Sequence, residues 1–391
     1  MRTHIATGID IGTHEVKVVM AESNPADEKN LAKIIGTGHA ECRGLRHGYI
    51  VNSREVTRNV ISAITQAEKA SGVKVKRAFI SQGGMSLESV VSLGNAVTSR
   101  ADTEVTDMDI EKAIHMAEKN IPGSQIINRR IIHTVPLSYK IDGKPVFGRP
   151  LGMKGNKLEA KVLFITCLSQ HLDDLIETIT DAGIEVLDIV ASPLAASLVT
   201  LSKNQKVAGC LLANIGAETV SIVVFENNLP VSLEVFPIGS TDITNDIALG
   251  LKVTIEEAEK LKRGVLSGAE FSQKKLDEII HARVSDIFDL IEAHLKKIDR
   301  NGLLPAGIVI TGGGSNLPFI EDMAKSALKL PARIGTLSVN GKDNIKDSTW
   351  SVAYGLSILG VGTEDATDQG FSKNGTTLAK KLGSWLSQLL P

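Results

Sequence analysis

Asp10-Ile-Gly-Thr-His-Glu-Val-Lys-Val-Val19 can be laid over Asn214-Ile-Gly-Ala-Glu-Thr-Val-Ser-Ile-Val223, and this repeat constrains the chain more than any other feature. An apolar strand precedes each copy, an Ile-Gly turn follows, and a strand of alternating character leaves the turn. A third strand-like segment comes next, at Leu31–Gly38 and at Leu229–Pro237. Each copy then runs into a helix, Ser53–Ala70 or Ser240–Leu251. The common order of three strands and a helix points to a duplicated α/β unit. A chain of 391 residues has room for two such units, each with its own core. Only 4% of the residues are aromatic against 42% apolar in total, so Val, Ile and Leu carry the packing.

Between the copies lies a stretch that fits neither. Residues 85–162 hold a strand-like Ser86–Ser92, then a helix opened by Thr106-Asp107 and reaching Lys119. Strand candidates Ile126–Tyr139 and Leu158–Ile165 follow, and the whole reads as an inserted small α/β subdomain. Gly83-Gly84 reads as the hinge into it. Helix Ser169–Ala182, stopped by Gly183, closes the first half, and Ser192–Leu201 begins the crossover to the second. The second half contains helices Thr254–Arg263 and Lys274–Lys297, a buried strand Ala306–Thr311 and a helix Pro318–Ala327. Residues 362–375 are small and polar, rich in Gly, Thr and Asp with one aromatic, the composition of a flexible linker. A last amphipathic helix spans 376–391.

Lys and Arg total 43 against 45 Asp and Glu, a balance that argues against wrapping nucleic acid. Three distant cysteines make neither a disulfide framework nor a zinc motif; Cys167 and Cys210 sit in apolar runs and read as core thiols. Scattered His4, His39, His47 and His115 suggest no metal site. Neither a signal peptide nor an 18-residue apolar run is apparent, so a cytosolic protein is expected, able to lie on a membrane.

Three glycine-containing turns each follow an apolar strand: Asp10–Lys17, Asn214–Thr219 and Gly312–Ser315. A phosphate needs backbone N–H groups aimed at it with no side chain between, which glycine after a strand provides. Gly12, Thr13, His14 and Lys17 in the first turn are candidate phosphate contacts, with Asp10 placed to hold Mg²⁺ through water. Asn214, Gly216, Ala217, Glu218 and Thr219 form the second candidate turn, and Gly312, Gly313, Gly314 and Ser315 the third.

These turns, in this order, resemble the actin, Hsp70 and sugar-kinase superfamily. Within it the chain is similar to the FtsA family nearly end to end. The similarity rests on Gly44-Leu-Arg-His-Gly-Tyr-Ile-Val51, Pro150-Leu-Gly-Met-Lys-Gly155, the segment Ile238–Ala248 and Ala258-Glu-Lys-Leu-Lys262. The resemblance implies duplicated ribonuclease-H-like, actin-like domains flanking an ATP cleft, with Glu259 and Lys262 facing the adenosine. It places the first domain at 1–84 and 163–202, with the chain returning near 345–361. The second spans 203–344, with 245–300 as its small subdomain. Residues 85–162 become the FtsA-type insertion, serving other division proteins and subunit contacts in a filament of the chain itself. The implied partner is the C-terminal tail of tubulin-like FtsZ, met by Arg283 and Asp286. One departure stands out: the superfamily's second turn usually starts with Asp, and Asn214 brings no charge and takes no proton. At most a slow ATPase is expected.

On the terminal helix, Leu378, Leu382, Trp385, Leu386, Leu389 and Leu390 share one face, with Lys381 and Lys380 toward its side and the opposite face. This pattern points to peripheral docking on an anionic membrane surface, which the resemblance implies is the cytoplasmic face at the division site. Two alternatives share the fold. A PilM-like pilus-assembly adaptor is suggested by the Ile-Gly-Ala-Glu-Thr turn at Ile215–Thr219. A small-molecule kinase would need a carboxylate base to take a hydroxyl proton, for which no motif is present.

Overall fold

The computed structural model describes residues 4–23, 32–265, 272–337 and 347–362. The chain opens with strands β1 (His4–Ile11), β2 (Glu15–Ser23) and β3 (Lys33–Glu41). A small hairpin follows, β4 (Leu45–Arg46) and β5 (Tyr49–Ile50), then helix α1 (Ser53–Ser71) and strand β6 (Arg77–Gln82). The next layer contains β7 (Leu87–Val97), α2 (Asp107–Lys119), the single turn α3 (Gly123–Ile126), β8 (Arg129–Ile141), β9 (Lys144–Val146) and β10 (Lys157–Leu168). The chain continues through α4 (Ser169–Asp181), β11 (Glu185–Ala191), α5 (Ser192–Thr200) and α6 (Lys203–Ala208). The second half comprises β12 (Cys210–Ile215), β13 (Val220–Glu226), β14 (Leu229–Phe236), α7 (Ser240–Leu251), α8 (Ile255–Lys262) and α9 (Gln273–Lys297). It ends with β15 (Ile308–Thr311), α10 (Ile320–Leu328), β16 (Ala332–Ile334) and α11 (Ser351–Gly362).

The duplication is structural. One sheet runs β3-β2-β1-β6-β11 and the other β14-β13-β12-β15-β16. In both, the first three strands are antiparallel and the last two join in parallel. Even the turns agree. Asp10 faces Lys17 and Ile11 faces Val16 across the first hairpin, as Asn214 faces Ser221 and Ile215 faces Val220 across the second. Gly12 N–H donates to Glu15 O at 3.0 Å, and Gly216 N–H to Thr219 O at 2.9 Å.

The second sheet buries both faces, which is why its strands read as continuous apolar runs. Leu211, Ala213 and Ile215 pack with α7, α8 and α9, while Cys210 and Leu212 join the core shared with the first half. Helices α5 and α11 cross in contact with each other, α11 on β1 and β2 and α5 on β12 and β13. Their crossing requires Gly355: a Cβ there would sit 1.8 Å from the Ala195 carbonyl oxygen.

In the intervening layer the strand order is β7-β10-β8-β9. Helix α2 starts where Thr106-Asp107 suggested, and Thr106 and Asp109 cap it reciprocally. Ala113 and Ala117 of α2 lie against one face of the sheet, and Leu163, Ile165 and Cys167 on the other join the first-half core. Ser89 Oγ donates to Leu233 O at 2.7 Å and accepts from Leu233 N–H at 3.0 Å, tying this layer to β14 as well. All three cysteines are free and buried.

The structure corrects several element readings. The expected strand Ile126–Tyr139 begins at Arg129, after the helical turn α3. Strands β4, β5, β9, β11 and β16 were not anticipated. The start of the expected strand Leu31–Gly38 lies at the edge of the described residues, and β3 runs on to Glu41.

His133 on β8 accepts a hydrogen bond from Ala191 N–H at 3.0 Å, and burial pulls its imidazole down to about 3. A folded-state value below the unfolded one, about 6.5, means that stability is held above pH 6.5 and lost on acidification toward pH 3. From pH 6.5 to 5 this one residue should cost about 2 kcal/mol. His133→Gln keeps an acceptor but cannot charge. Urea unfolding at the two pH values should show a correspondingly smaller loss in the variant; identical losses would exclude His133 as the cause.

Candidate functional site

Asp10 closes β1 beside the first turn. Ser81 of β6 holds it: the Ser81 hydroxyl donates to Asp10 Oδ1 at 2.7 Å and accepts from Ile11 N–H at 3.3 Å. Burial pushes the Asp10 carboxyl above the usual range, while the Ser81 hydrogen bond and the Lys17 ammonium pull the other way. Such a carboxylate gains from a cation. Lys17, opposite Asp10 in the hairpin, pairs with Glu15 at 3.0 Å and stands 5.9 Å over the Trp350 ring. His14 is exposed at the tip, its carbonyl accepting from Cys42 N–H at 2.8 Å.

The second turn is braced by the helix after it. Ser240 N–H donates to Gly216 O and Thr241 N–H to Ala217 O, at 2.9 and 2.8 Å. The Glu218 side chain turns away from its own turn. Its carboxylate accepts from His47 N–H at 2.6 Å and from Arg46 Nη1 at 2.8 Å, so the charge is neutralised against the first half.

In the third turn the glycines differ. Gly312 and Gly314 fit against the second turn, where added Cβ atoms would lie 2.3 Å from Asn214 Oδ1 and from Ile215 Cγ2. Gly313 is exposed, with no heavy atom within 4 Å of a Cβ built on it. Ser315, expected among the nucleotide contacts, braces the turn. It is fully buried, donating to Gly312 O at 2.7 Å, and its oxygen lies 2.7 Å from Ser348 Oγ.

Glu259 and Lys262 of α8 meet the start of α7. Lys262 Nζ donates to Ser240 O at 3.0 Å and Thr244 Oγ1 at 2.7 Å, and pairs with Glu259 at 2.6 Å. Burial draws the Lys262 ammonium below its ordinary value against the pull of Glu259. Sequence reasoning named Glu259 and Lys262, which the structure brings together, but did not name Ser81, Ser240, Thr244 or the Arg46-His47 pair. No sequence motif marks Ser81; only the parallel pairing of β1 with β6 places it beside Asp10.

Arg283 is not a free cation. Its fork grips Asp246 at 2.7 and 3.1 Å, with Asp286 at 3.3 Å. Asp286 is the more open of the pair. Leu378, Leu382, Trp385, Leu386, Leu389 and Leu390, with the 362–375 linker beyond Gly362, lie outside the described residues. Among the described residues no helix is long and apolar enough to cross a membrane. Nor does any group of three or more His, Cys, Asp or Glu stand ready to hold a metal there.

Two family models match this sequence, "Cell division protein FtsA" over residues 211–355 and "SHS2 domain inserted in FTSA" over 84–166. The cell division protein FtsA of Pseudomonas aeruginosa is 31% identical, covering 90% of this chain and 88% of its own. That of Borreliella burgdorferi is 30% identical, covering 91% of each. Among solved structures, the PilM–PilN type IV pilus biogenesis complex aligns with a TM-score of 0.68 at 17% identity, over 91% of this chain and 98% of that one. MreB5 of Spiroplasma citri bound to AMPPNP aligns with a TM-score of 0.52 at 14% identity, over 92% and 96%. At those identities the likeness is one of fold, duplicated and actin-like.

Proposed function

The chain belongs to the FtsA family of cell-division proteins, and we propose that it is an ATP-binding adaptor joining a division filament to the inner face of the membrane. The nucleotide part of this reading rests on one observation: two glycine turns of identical register, the first preceded by the buried carboxylate of Asp10. Backbone groups of Gly12, Thr13 and His14, and of Gly216 to Thr219, cradle the phosphates. Gly313 leaves room for the adenosine, with Glu259 and Lys262 behind it. The residues fit Mg²⁺ held through water, since Asp10 is a lone carboxylate and magnesium keeps most of its water shell. When bound, the cation neutralises phosphate charge.

In this reading 1–84 and 163–202, with the return near 345–361, form one actin-like domain and 203–344 the other. Residues 85–162 serve subunit contacts and further division proteins. The FtsZ tail binds within 245–300, Asp286 being better placed to meet it than Arg283. The terminal helix contacts lipid. A PilM-like adaptor shares the fold, but the 30–31% relatives favour division.

Asn214 offers no proton acceptor, so ATP acts as a structural ligand controlling assembly. The protein should bind ATP-Mg²⁺ at micromolar concentration and release phosphate more slowly than about 1 s⁻¹, the low end for ordinary enzymes. Faster turnover contradicts this reading.

A further inference from the structure

Three hydrogen bonds join segments 171 or 172 residues apart, and all involve Glu218. Besides the two to its carboxylate, its carbonyl oxygen lies 3.0 Å from His47 Nδ1. The side chain is only 11% exposed while its partner Arg46 is 72% exposed, so the carboxylate is committed and the arginine folds down onto it.

Both ends of this connection are rigid. On the first half, β4 and β5 are joined by two residues, His47 and Gly48, with φ of 47° and 84°. That is the tight turn whose twist matches a hairpin. Gly48 lies on Gly84, where a Cβ on either would come within 2.6 Å of the other's Cα, and Met85 N–H donates to His47 O at 3.0 Å. Gly83-Gly84, the hinge of the sequence, is therefore also the seat of this loop. On the second half, Gly216 and Ala217 are fixed to the first turn of α7, and through Ser240 and Thr244 to Lys262.

We propose that Glu218 is a positioning residue, a strap that fastens the second glycine turn to the Arg46-His47 loop and so holds the two halves closed around the nucleotide. This rests on the ATP reading above. The Glu218 carboxylate is largely buried, and charge-assisted bonds of this kind are stronger than neutral ones. The strap also removes a negative charge from the phosphates' surroundings by pairing it with Arg46. Its loss leaves both turns intact but lets the halves part, so release of nucleotide quickens while encounter is little changed.

The test uses the full-length protein with Glu218→Ala and, as a milder change at an exposed side chain, Arg46→Met. Two measurements are made: distance distributions between spin labels on the two halves without nucleotide, and dissociation of a fluorescent ATP analogue with Mg²⁺. Glu218→Ala should broaden the distribution and speed release by roughly 30-fold, Arg46→Met by a smaller factor, with Glu218→Asp between parent and Ala. Parent-like distances and release in both Glu218→Ala and Arg46→Met overturn the strap. If the parent binds no nucleotide but Glu218→Ala still loosens the halves, the ATP reading fails and the strap stands. Should Glu218→Ala not fold, Arg46→Met alone decides, parent-like behaviour counting against it.

Discussion

Replacing Asp10 with Asn should weaken Mg²⁺-dependent ATP binding by about 100-fold, the scale of a lost charge-assisted contact, while raising the melting temperature of the nucleotide-free protein. The two effects have one cause. Burial holds the Asp10 carboxyl above its unfolded value, so at neutral pH its ionised form works against folding. The sign follows: this penalty is absent in acid and grows as pH rises past the unfolded value. Asparagine removes the charge and still accepts from the Ser81 hydroxyl. Gly313→Phe should abolish binding by filling the space meant for adenosine, with the fold unharmed because nothing adjoins that position. Gly314→Ala is the contrasting control: its Cβ would strike Ile215, so it should lower the melting temperature. Calorimetric titration and thermal melts read both quantities. Unchanged affinity in Asp10→Asn and Gly313→Phe would remove nucleotide from these turns.

Much of the fold was legible because it is written twice. The repeat at Asp10 and Asn214 marks hairpins whose register is the same to the residue. Long amphipathic helices were equally plain: Leu276, Ile280, Val284, Ile287, Ile291 and Leu295 of α9 are all buried. What escaped was short or irregular. Strand β11 has only seven residues between two helices and carries a register shift between Val186 and Asp188, which breaks its alternation. The β4–β5 hairpin pairs two residues on each side, too few for a pattern. In the candidate site, Asp10, Gly313, Glu259 and Lys262 were proposed from turn chemistry and resemblance. Ser81, Trp350 and Arg46 could not be, since each comes to the site only through tertiary pairing. Glu218 was visible as an oddity, but its direction was set by a loop far away in sequence.

The adaptor claim rests on the chain beyond Gly362, read from its pattern. On a helix of 3.6 residues per turn, positions 378, 382, 385, 386 and 389 would share one face, with Lys381 toward its side and Lys380 toward the opposite face. Gly383 weakens such a helix in water by about 1 kcal/mol relative to Ala, so the membrane itself would help to form it. Trp385→Glu with Leu386→Glu removes two apolar groups worth about 2 kcal/mol each. It also sets two anions against an anionic surface, at ~1 kcal/mol each. The sum, roughly 6 kcal/mol, corresponds to about 10⁴-fold in membrane affinity. The decisive measurement is pelleting of FtsZ with anionic liposomes in the presence of ATP and either the parent or this double variant. The account predicts that the parent carries FtsZ down with the lipid, and that the variant leaves FtsZ and itself in the supernatant while binding ATP as before. A variant that pellets with FtsZ and lipid as the parent does would contradict it.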